Sequence, residues 1–161
     1  MQDFFLKNFD VDVRKTLIKN QLKVLGICAE RKLPLIVLEF KCRGIFRGET
    51  TNALKQKIKN IPHIKIIKEN NSGFTQTNLD KILRDAKCKK IFIMGINANA
   101  CVQDTAIGAL HRSYKVAISK GTTASTSRKD MNFSKRNQRW YENNCQLFSS
   151  TENAVEEMAR Y

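Results

Sequence analysis

One cysteine of this sequence stands where a strand pattern gives way to a helix pattern. The run Ile91–Met94 is continuously apolar, as expected of a strand buried on both faces, and it ends at Gly95. A short turn follows, and Cys101 opens a segment with helical spacing. A thiol at a helix N-terminus faces unpaired backbone N–H groups and the positive end of the helix dipole, which favour the reactive thiolate. Because the same N–H groups can hold an oxyanion, this position suits nucleophilic attack on a carbonyl.

The other cysteines fit neither a disulfide framework nor a zinc site. The chain has five cysteines, an odd number, widely spaced and without a C-x-x-C pair, and it has only two histidines. We therefore expect no metal and no cofactor. Composition alone would make all five small buried residues, and we keep that interpretation for Cys28, Cys42, Cys88 and Cys145.

The charge is strongly positive, with 29 Lys and Arg against 15 Asp and Glu, for a formal charge of +14. Such an excess attracts polyanions in a salt-dependent way, so nucleic-acid binding is one alternative. The lysines are scattered along the chain, however, and the 8% of aromatic residues do not interleave with them. This distribution favours a solvated lysine-rich surface, and we expect no specific nucleic-acid partner.

Length and hydropathy predict one soluble domain spanning 1–161. No apolar run approaches the roughly 20 residues of a membrane-spanning helix. The beginning, M-Q-D-F-F-L-K-N-F-D, lacks the basic-then-apolar order of a secretion signal. We therefore expect a cytoplasmic protein that does not contact membranes.

Helical and strand patterns alternate along the chain. Asp10 precedes a long amphipathic helix, Val11–Arg31. Five apolar runs predict strands at Leu35–Leu38, Ile64–Ile67, Ile91–Met94, Val116–Ser119 and Gln146–Phe148. Further helices are predicted at Thr51–Lys59, Asn78–Ala86, Ala100–Ser113, Phe133–Asn144 and Thr151–Tyr161. The alternation predicts a three-layer α/β/α fold with a mostly parallel, Rossmann-like sheet of five or six strands, with long loops at Lys41–Thr51 and Gly121–Asn132.

Two ordered motifs carry a family resemblance. From Gly95 the chain reads G-I-N-A-N-A-C-V-Q-D-T-A, which resembles the nucleophile block of the isochorismatase-like cysteine hydrolases, GVxTNxCVxxTAxDA. From Lys68 it reads K-E-N-N-S-G-F-T-Q-T-N-L, which is similar to the lysine block of that family, K-x-x-x-S-A-F-x-x-T-x-L. The end of the chain from Cys145 also resembles the last strand and helix of the family, so the similarity covers nearly the whole chain.

The resemblance implies a metal-independent hydrolase for a small amide, carbamoyl or enol-ether substrate. Cys101 would attack as a thiolate to form an acyl-enzyme that water opens, and Lys68 would stabilise the thiolate. The amides of Asn97 and Cys101 would form the oxyanion hole, and the Ile96-Asn97 bond would be a cis peptide. A solvated surface lysine remains the alternative for Lys68.

The resemblance also suggests a pocket and an assembly. Phe5, Phe74 and Ile96 would line the substrate pocket, although core packing is the alternative for the phenylalanines. The helix Ala100–Ser113 would pair subunits in a homo-oligomer.

The family's first strand, which ends in D-x-Q-x-x-F, is matched only from Gln2 and Phe5 onward. Its aspartate accepts the thiol proton, and without an acceptor there we expect weak or absent hydrolysis. Asp3 is a poorly placed substitute. The missing strand would also leave two strand edges unpaired. An upstream start, closure by the remaining strands, or replacement by another segment would each account for the difference.

The metal ligands of nicotinamidases in this superfamily are not matched either. The segment Leu38–Arg43 lacks their aspartate and histidines, and His63 and His111 lie far from it, which disfavours nicotinamidase activity. A catalytically impaired family member that serves as a binding or assembly module is the alternative to an active hydrolase.

Overall fold

The structure is a computed structural model that describes residues 1–42, 45–46, 48–125 and 135–160. The described helices are α1 (Asp3–Leu6), α2 (Val11–Glu30), α3 (Asn52–Ile58), α4 (Leu79–Asp85), α5 (Cys101–Leu110), α6 (Lys135–Asn144) and α7 (Thr151–Met158). The described strands are β1 (Leu35–Cys42), β2 (Ile45–Phe46), β3 (His63–Lys68), β4 (Lys90–Ile96), β5 (Lys115–Ala124) and β6 (Gln146–Phe148).

The strands form two three-stranded sheets, with the orders β2-β1-β3 and β4-β5-β6. β1 runs parallel to β3, and β5 runs parallel to both β4 and β6, while the short β2 pairs antiparallel with the end of β1. The predicted mixed α/β fold with mostly parallel strands is confirmed. Its six described strands are divided between two sheets rather than joined in one.

Helices cover the strands from two sides. Against one side, α2 contacts α3, α7 and β5, and Leu25 and Leu54 share an apolar cluster there. On the other side, α5 contacts β4 and β5, and the main core cluster joins Val102 of α5 and Tyr141 of α6 with Ile118 of β5. β5 is buried along most of its length because both helical layers pack on it.

β1 and β4 each have one edge that is largely unpaired among the described residues, as the family resemblance led us to expect. β1 pairs with β3 on one side, β4 pairs with β5 on one side, and no described strand joins β1 to β4. Apolar residues of both strands, Ile36 and Ile93 among them, are therefore only partly buried. The side chain of Gln2 substitutes for strand pairing at one point, because it accepts from the Phe40 N–H at 2.7 Å and donates to the Phe40 carbonyl at 3.0 Å.

The remaining differences from the sequence prediction are local. α1 and β2 were not predicted, and β5 continues to Ala124, into the segment predicted as a loop. Residues 126–132 of that loop and the first two residues of the helix predicted at Phe133–Asn144 lie outside the described residues. Among the described helices, none combines the length and the apolar character that crossing a bilayer requires.

Candidate active site

The turn between β4 and α5 places Cys101 at the first residue of a helix. The Ile96-Asn97 peptide is cis, which confirms the expectation for that bond. The Asn97 carbonyl accepts hydrogen bonds from the N–H groups of Ala100 and Val102, each at 3.1 Å, and so closes the turn onto the helix. Gly95 has φ +145°, a conformation that favours glycine, just before the cis bond.

The sulfur of Cys101 lies in a polar and accessible setting. The side chain is half-buried, and its Sγ is 3.5 Å from the Asn71 Oδ1, to which the thiol donates. Within the described part of the chain, neither the Cys101 N–H nor the Asn97 N–H has an acceptor. Cys101 therefore stands at the positive end of α5, in a turn that carries two backbone N–H groups without an acceptor among the described residues.

Lys68 ends β3 and points into the protein toward this thiol. Its side chain is only 5% exposed, and its Nζ donates to the carbonyls of Asn70 and Asn71 at 2.8 and 2.6 Å. Burial lowers the pKa of Lys68, while attraction to Cys101 opposes that shift. The structure thus brings together the two residues that the motifs single out, and a solvated surface position for Lys68 is excluded.

Thr105 ties the lysine segment to the cysteine helix. Its Oγ1 accepts from the Gly73 N–H at 2.9 Å and donates to the Cys101 carbonyl at 2.7 Å. Asn71, which contacts the thiol, lies in a variable position of the lysine motif, so the sequence pattern did not single it out. The signal that could have pointed to Asn71 was its position between two residues of the motif, Lys68 and Ser72.

The three predicted pocket residues occupy different surroundings. Phe5 is half-buried, with its ring 6.0 Å from that of Phe40, which in turn lies beside Lys68. Phe74 is 5% exposed and stacks on Tyr114 at 6.1 Å in the main core, as the packing alternative expects. Ile96 packs against a separate apolar cluster. Only Phe5 is connected to the Lys68 side of the site, and the pocket roles remain predictions.

The described carboxylates do not replace the family's aspartate at the thiol. Asp3 is exposed on α1, where its N–H donates to the Glu49 carbonyl at 3.4 Å. Among the described residues, no Asp or Glu side chain forms a hydrogen bond with Cys101. The polar groups that the structure places at the sulfur are the side-chain amide of Asn71 and the ammonium of Lys68.

The remaining cysteines and the histidines lie outside this site. Burial raises the pKa values of the Cys28 and Cys88 thiols, and it raises that of Cys145 to about 11. The side chain of Cys42 lies outside the described set.

The two histidines also lie away from the thiol. His63 contacts the Ile61 carbonyl at 2.8 Å, and His111 is exposed after α5. In the portion of the chain that is described, no group of three or more His, Cys, Asp and Glu side chains is placed to hold a metal ion.

Comparison with known proteins identifies sequence relatives of this chain. The chain is 27% identical over 146 residues to the uncharacterized isochorismatase family protein YaaI of Bacillus subtilis, a match that covers 80% of this chain and 81% of YaaI. It is 23% identical over 137 residues to Nicotinamidase 3 of Arabidopsis thaliana, covering 74% of this chain and 69% of the relative.

Solved structures share the fold. The MAR1 ribonuclease of Caenorhabditis elegans superposes with a TM-score of 0.82 and 19% identity, over 99% of this chain and 78% of its own length. The sequence model of the isochorismatase domain matches residues 1–150. The chain therefore belongs to the isochorismatase family, whose hydrolase fold it shares.

Proposed function

We propose that this isochorismatase-family hydrolase acts through Cys101 on a small amide, carbamoyl or enol-ether substrate, without a metal. The observation that carries the proposal is the half-buried thiol at the start of α5, with the buried ammonium of Lys68 nearby. In the same turn, the N–H groups of Asn97 and Cys101 have no acceptor among the described residues. A cation and helix-terminal amides both favour a thiolate, and the amides also favour a developing oxyanion.

The proposed reaction on an amide has two stages. The Cys101 thiolate attacks the carbonyl carbon, and the resulting oxyanion accepts hydrogen bonds from the N–H groups of Asn97 and Cys101. Collapse breaks the C–N bond, the amine leaves with a proton from Lys68 or water, and a thioester remains. Water then attacks the thioester, which releases the acid and restores the thiol.

An amide is the first substrate class to test. The relative named Nicotinamidase 3 supports this class, although the segment after the second family strand lacks the nicotinamidase ligand pattern. Phe5 and Phe40 offer aromatic surface next to Lys68, which suits a small planar group. Pairing of subunits through α5 remains a prediction from the resemblance.

Two measurements test the role of Cys101. Peptide mapping after brief iodoacetamide treatment at pH 8 should find Cys101 labelled ahead of Cys28, Cys88 and Cys145, whose thiol pKa values are raised by burial. In a screen of small amides, Cys101→Ala should abolish turnover. The matched control Cys88→Ala should retain it, because Cys88 lies at the opposite end of β4. Equal labelling of the cysteines, or turnover by Cys101→Ala, would contradict the proposal.

A basic groove supports a second candidate function, the binding of a phosphate-rich polymer such as RNA. The groove has a volume of about 450 Å³ and is lined by Arg84, Lys89, Arg112 and Lys115, near the start of β4 and β5. It therefore lies at the opposite end of these strands from Cys101. Arg84 and Arg112 both pair with Asp80, so Lys89 and Lys115 carry most of the attraction. The net charge of +14 adds a long-range attraction for polyanions.

Salt-dependent anisotropy with a single-stranded RNA oligonucleotide tests this candidate. Lys89→Ala/Lys115→Ala should weaken binding more than Lys15→Ala/Lys19→Ala, which removes the same charge from the exposed face of α2. An equal loss in both variants would show that net charge alone attracts the RNA.

A further inference from the structure

Two other elements hold the turn that carries Asn97 and Cys101. The Ala98 N–H donates to the Ala124 carbonyl of β5 at 2.9 Å, and the Ala98 carbonyl accepts from the Tyr141 hydroxyl of α6 at 2.7 Å. Both peptide groups of Ala98 are therefore fixed. Ala98 lies in the turn between Asn97 and Cys101, the two residues whose N–H groups have no acceptor in the described structure.

Tyr141 is suited to act as a permanent donor. Its side chain is fully buried in the main core, where its ring packs edge-on against Trp140 with the centroids 4.9 Å apart. Burial raises the pKa of its phenol far above the usual range, so the hydroxyl keeps its proton at neutral pH. A buried hydroxyl needs a partner, and the partner here is the carbonyl of the nucleophile turn.

We propose that Tyr141 is a positioning residue that fixes the Ala98 carbonyl and thereby aims the N–H groups of Asn97 and Cys101 at a common oxyanion. This inference rests on the proposed function. Oxyanion stabilisation requires donors that are aligned before the reaction, and a displacement of about 1 Å can cost on the order of a hundredfold in rate. The hydrogen bond from α6 opposes rotation of the peptide that links Ala98 to Asn99.

Two reagents for the same thiol separate this role from general disorder. Acetylation by p-nitrophenyl acetate passes through an oxyanion: the thiolate attacks the carbonyl, the C–O bond breaks, and p-nitrophenolate leaves an S-acetyl group on Cys101. Alkylation by iodoacetamide displaces iodide at carbon without an oxyanion. A residue that aligns the oxyanion donors should affect the first reaction and spare the second.

Tyr141→Phe removes the hydroxyl and keeps the ring. We expect acetylation of Cys101 to slow at least tenfold, while alkylation changes less than twofold. Tyr114→Phe is the matched control, because Tyr114 is also buried and donates to Asp80 at 2.9 Å, away from the turn. Ser125→Ala, which removes the 3.1 Å contact to the Asn99 side chain, tests the same turn with a milder change and should slow acetylation less.

The outcomes distinguish the two proposals. If wild-type Cys101 is alkylated but not acetylated, the hydrolase proposal fails. If it is acetylated and Tyr141→Phe matches the wild type and Tyr114→Phe, only the positioning role of Tyr141 is overturned. Parallel loss of acetylation and alkylation would also overturn that role. Should Tyr141→Phe not fold, unchanged acetylation in Ser125→Ala would count against tight alignment of the turn.

Discussion

The Nζ of Lys68 lies 4.9 Å from the centre of the Phe40 ring, so the ammonium is enclosed between an aromatic face and the carbonyls of Asn70 and Asn71. Lys68 and Phe40 are direct partners in the parallel pairing of β3 with β1. The ring attracts the cation through its negative face and shields it from water. This strand register therefore holds a positive charge beside Cys101.

Replacing Lys68 should slow the reaction of the thiol. In Lys68→Met, alkylation of Cys101 by iodoacetamide at pH 7 should fall about tenfold, because the thiolate loses the nearby cation. Lys68→Arg should retain part of the rate. The exposed Lys81, which pairs with Asp85 within α4, supplies the control variant Lys81→Met, with an unchanged rate. Equal rates in Lys68→Met and the wild type would show that Lys68 does not influence the thiol.

The buried ammonium should also give stability a dependence on alkaline pH. Burial lowers the pKa of Lys68 from its usual 10.5, so the unfolded chain binds this proton more tightly than the folded one. Between the folded pKa and 10.5, stability should therefore rise with pH through this group. Urea unfolding across that interval should show the wild type gaining stability relative to Lys68→Met. A constant difference between the two proteins would contradict the shift.

The buried carboxylate of Glu39, a residue of β1, provides a second test of how charge affects stability. This carboxylate accepts from the Thr50 N–H at 2.9 Å and pairs with Lys65 at 2.6 Å. Burial alone would raise the pKa of Glu39, but the hydrogen bonds from Lys65 and Thr50 hold it below 4.5. Glu39→Gln should lower the free energy of unfolding by roughly 1–3 kcal/mol at pH 7.

The loss of stability in Glu39→Gln should depend on pH in the acid range, and the direction of that dependence tests whether the pKa of Glu39 is lowered. Because the folded pKa is depressed, the stabilisation is present above pH 4.5 and is lost as pH falls through the folded pKa. The difference between the wild type and Glu39→Gln should shrink over that range. Glu156→Gln, on the exposed face of α7, should show little difference from the wild type at any pH.

The sequence predicted the parts of the site that depend on local order. Strand spacing located Cys101 at the start of α5, and the family motifs paired it with Lys68 and placed the cis bond before Asn97. Tyr141 and Asn71 were not predicted, because their contacts depend on how α6 and the loop after β3 pack on the turn. Local patterns do not specify such long-range contacts. The sequence predicted unpaired strand edges, but neither the division of the strands into two sheets nor the hydrogen bonds of the Gln2 side chain at the β1 edge was predicted.

Gln2 should contribute to stability out of proportion to its place near the chain end. It is 5% exposed, it exchanges two hydrogen bonds with the Phe40 backbone, and it donates to the Gly48 carbonyl at 2.6 Å. Gln2→Met fills similar space without these bonds, and the Phe40 N–H and carbonyl then lack partners at an open strand edge. We expect the free energy of unfolding to fall by about 2–3 kcal/mol.

A second glutamine provides the comparison for that loss. Gln56→Met alters an exposed residue whose side chain contacts only Asn52 among the described residues, at 3.3 Å. Its free energy of unfolding should stay within about 0.5 kcal/mol of the wild type. Chemical denaturation of the three proteins measures both differences. If Gln2→Met unfolds at the same denaturant concentration as Gln56→Met, the hydrogen bonds of the Gln2 side chain do not stabilise the β1 edge. Water would then satisfy the Phe40 N–H and carbonyl equally well.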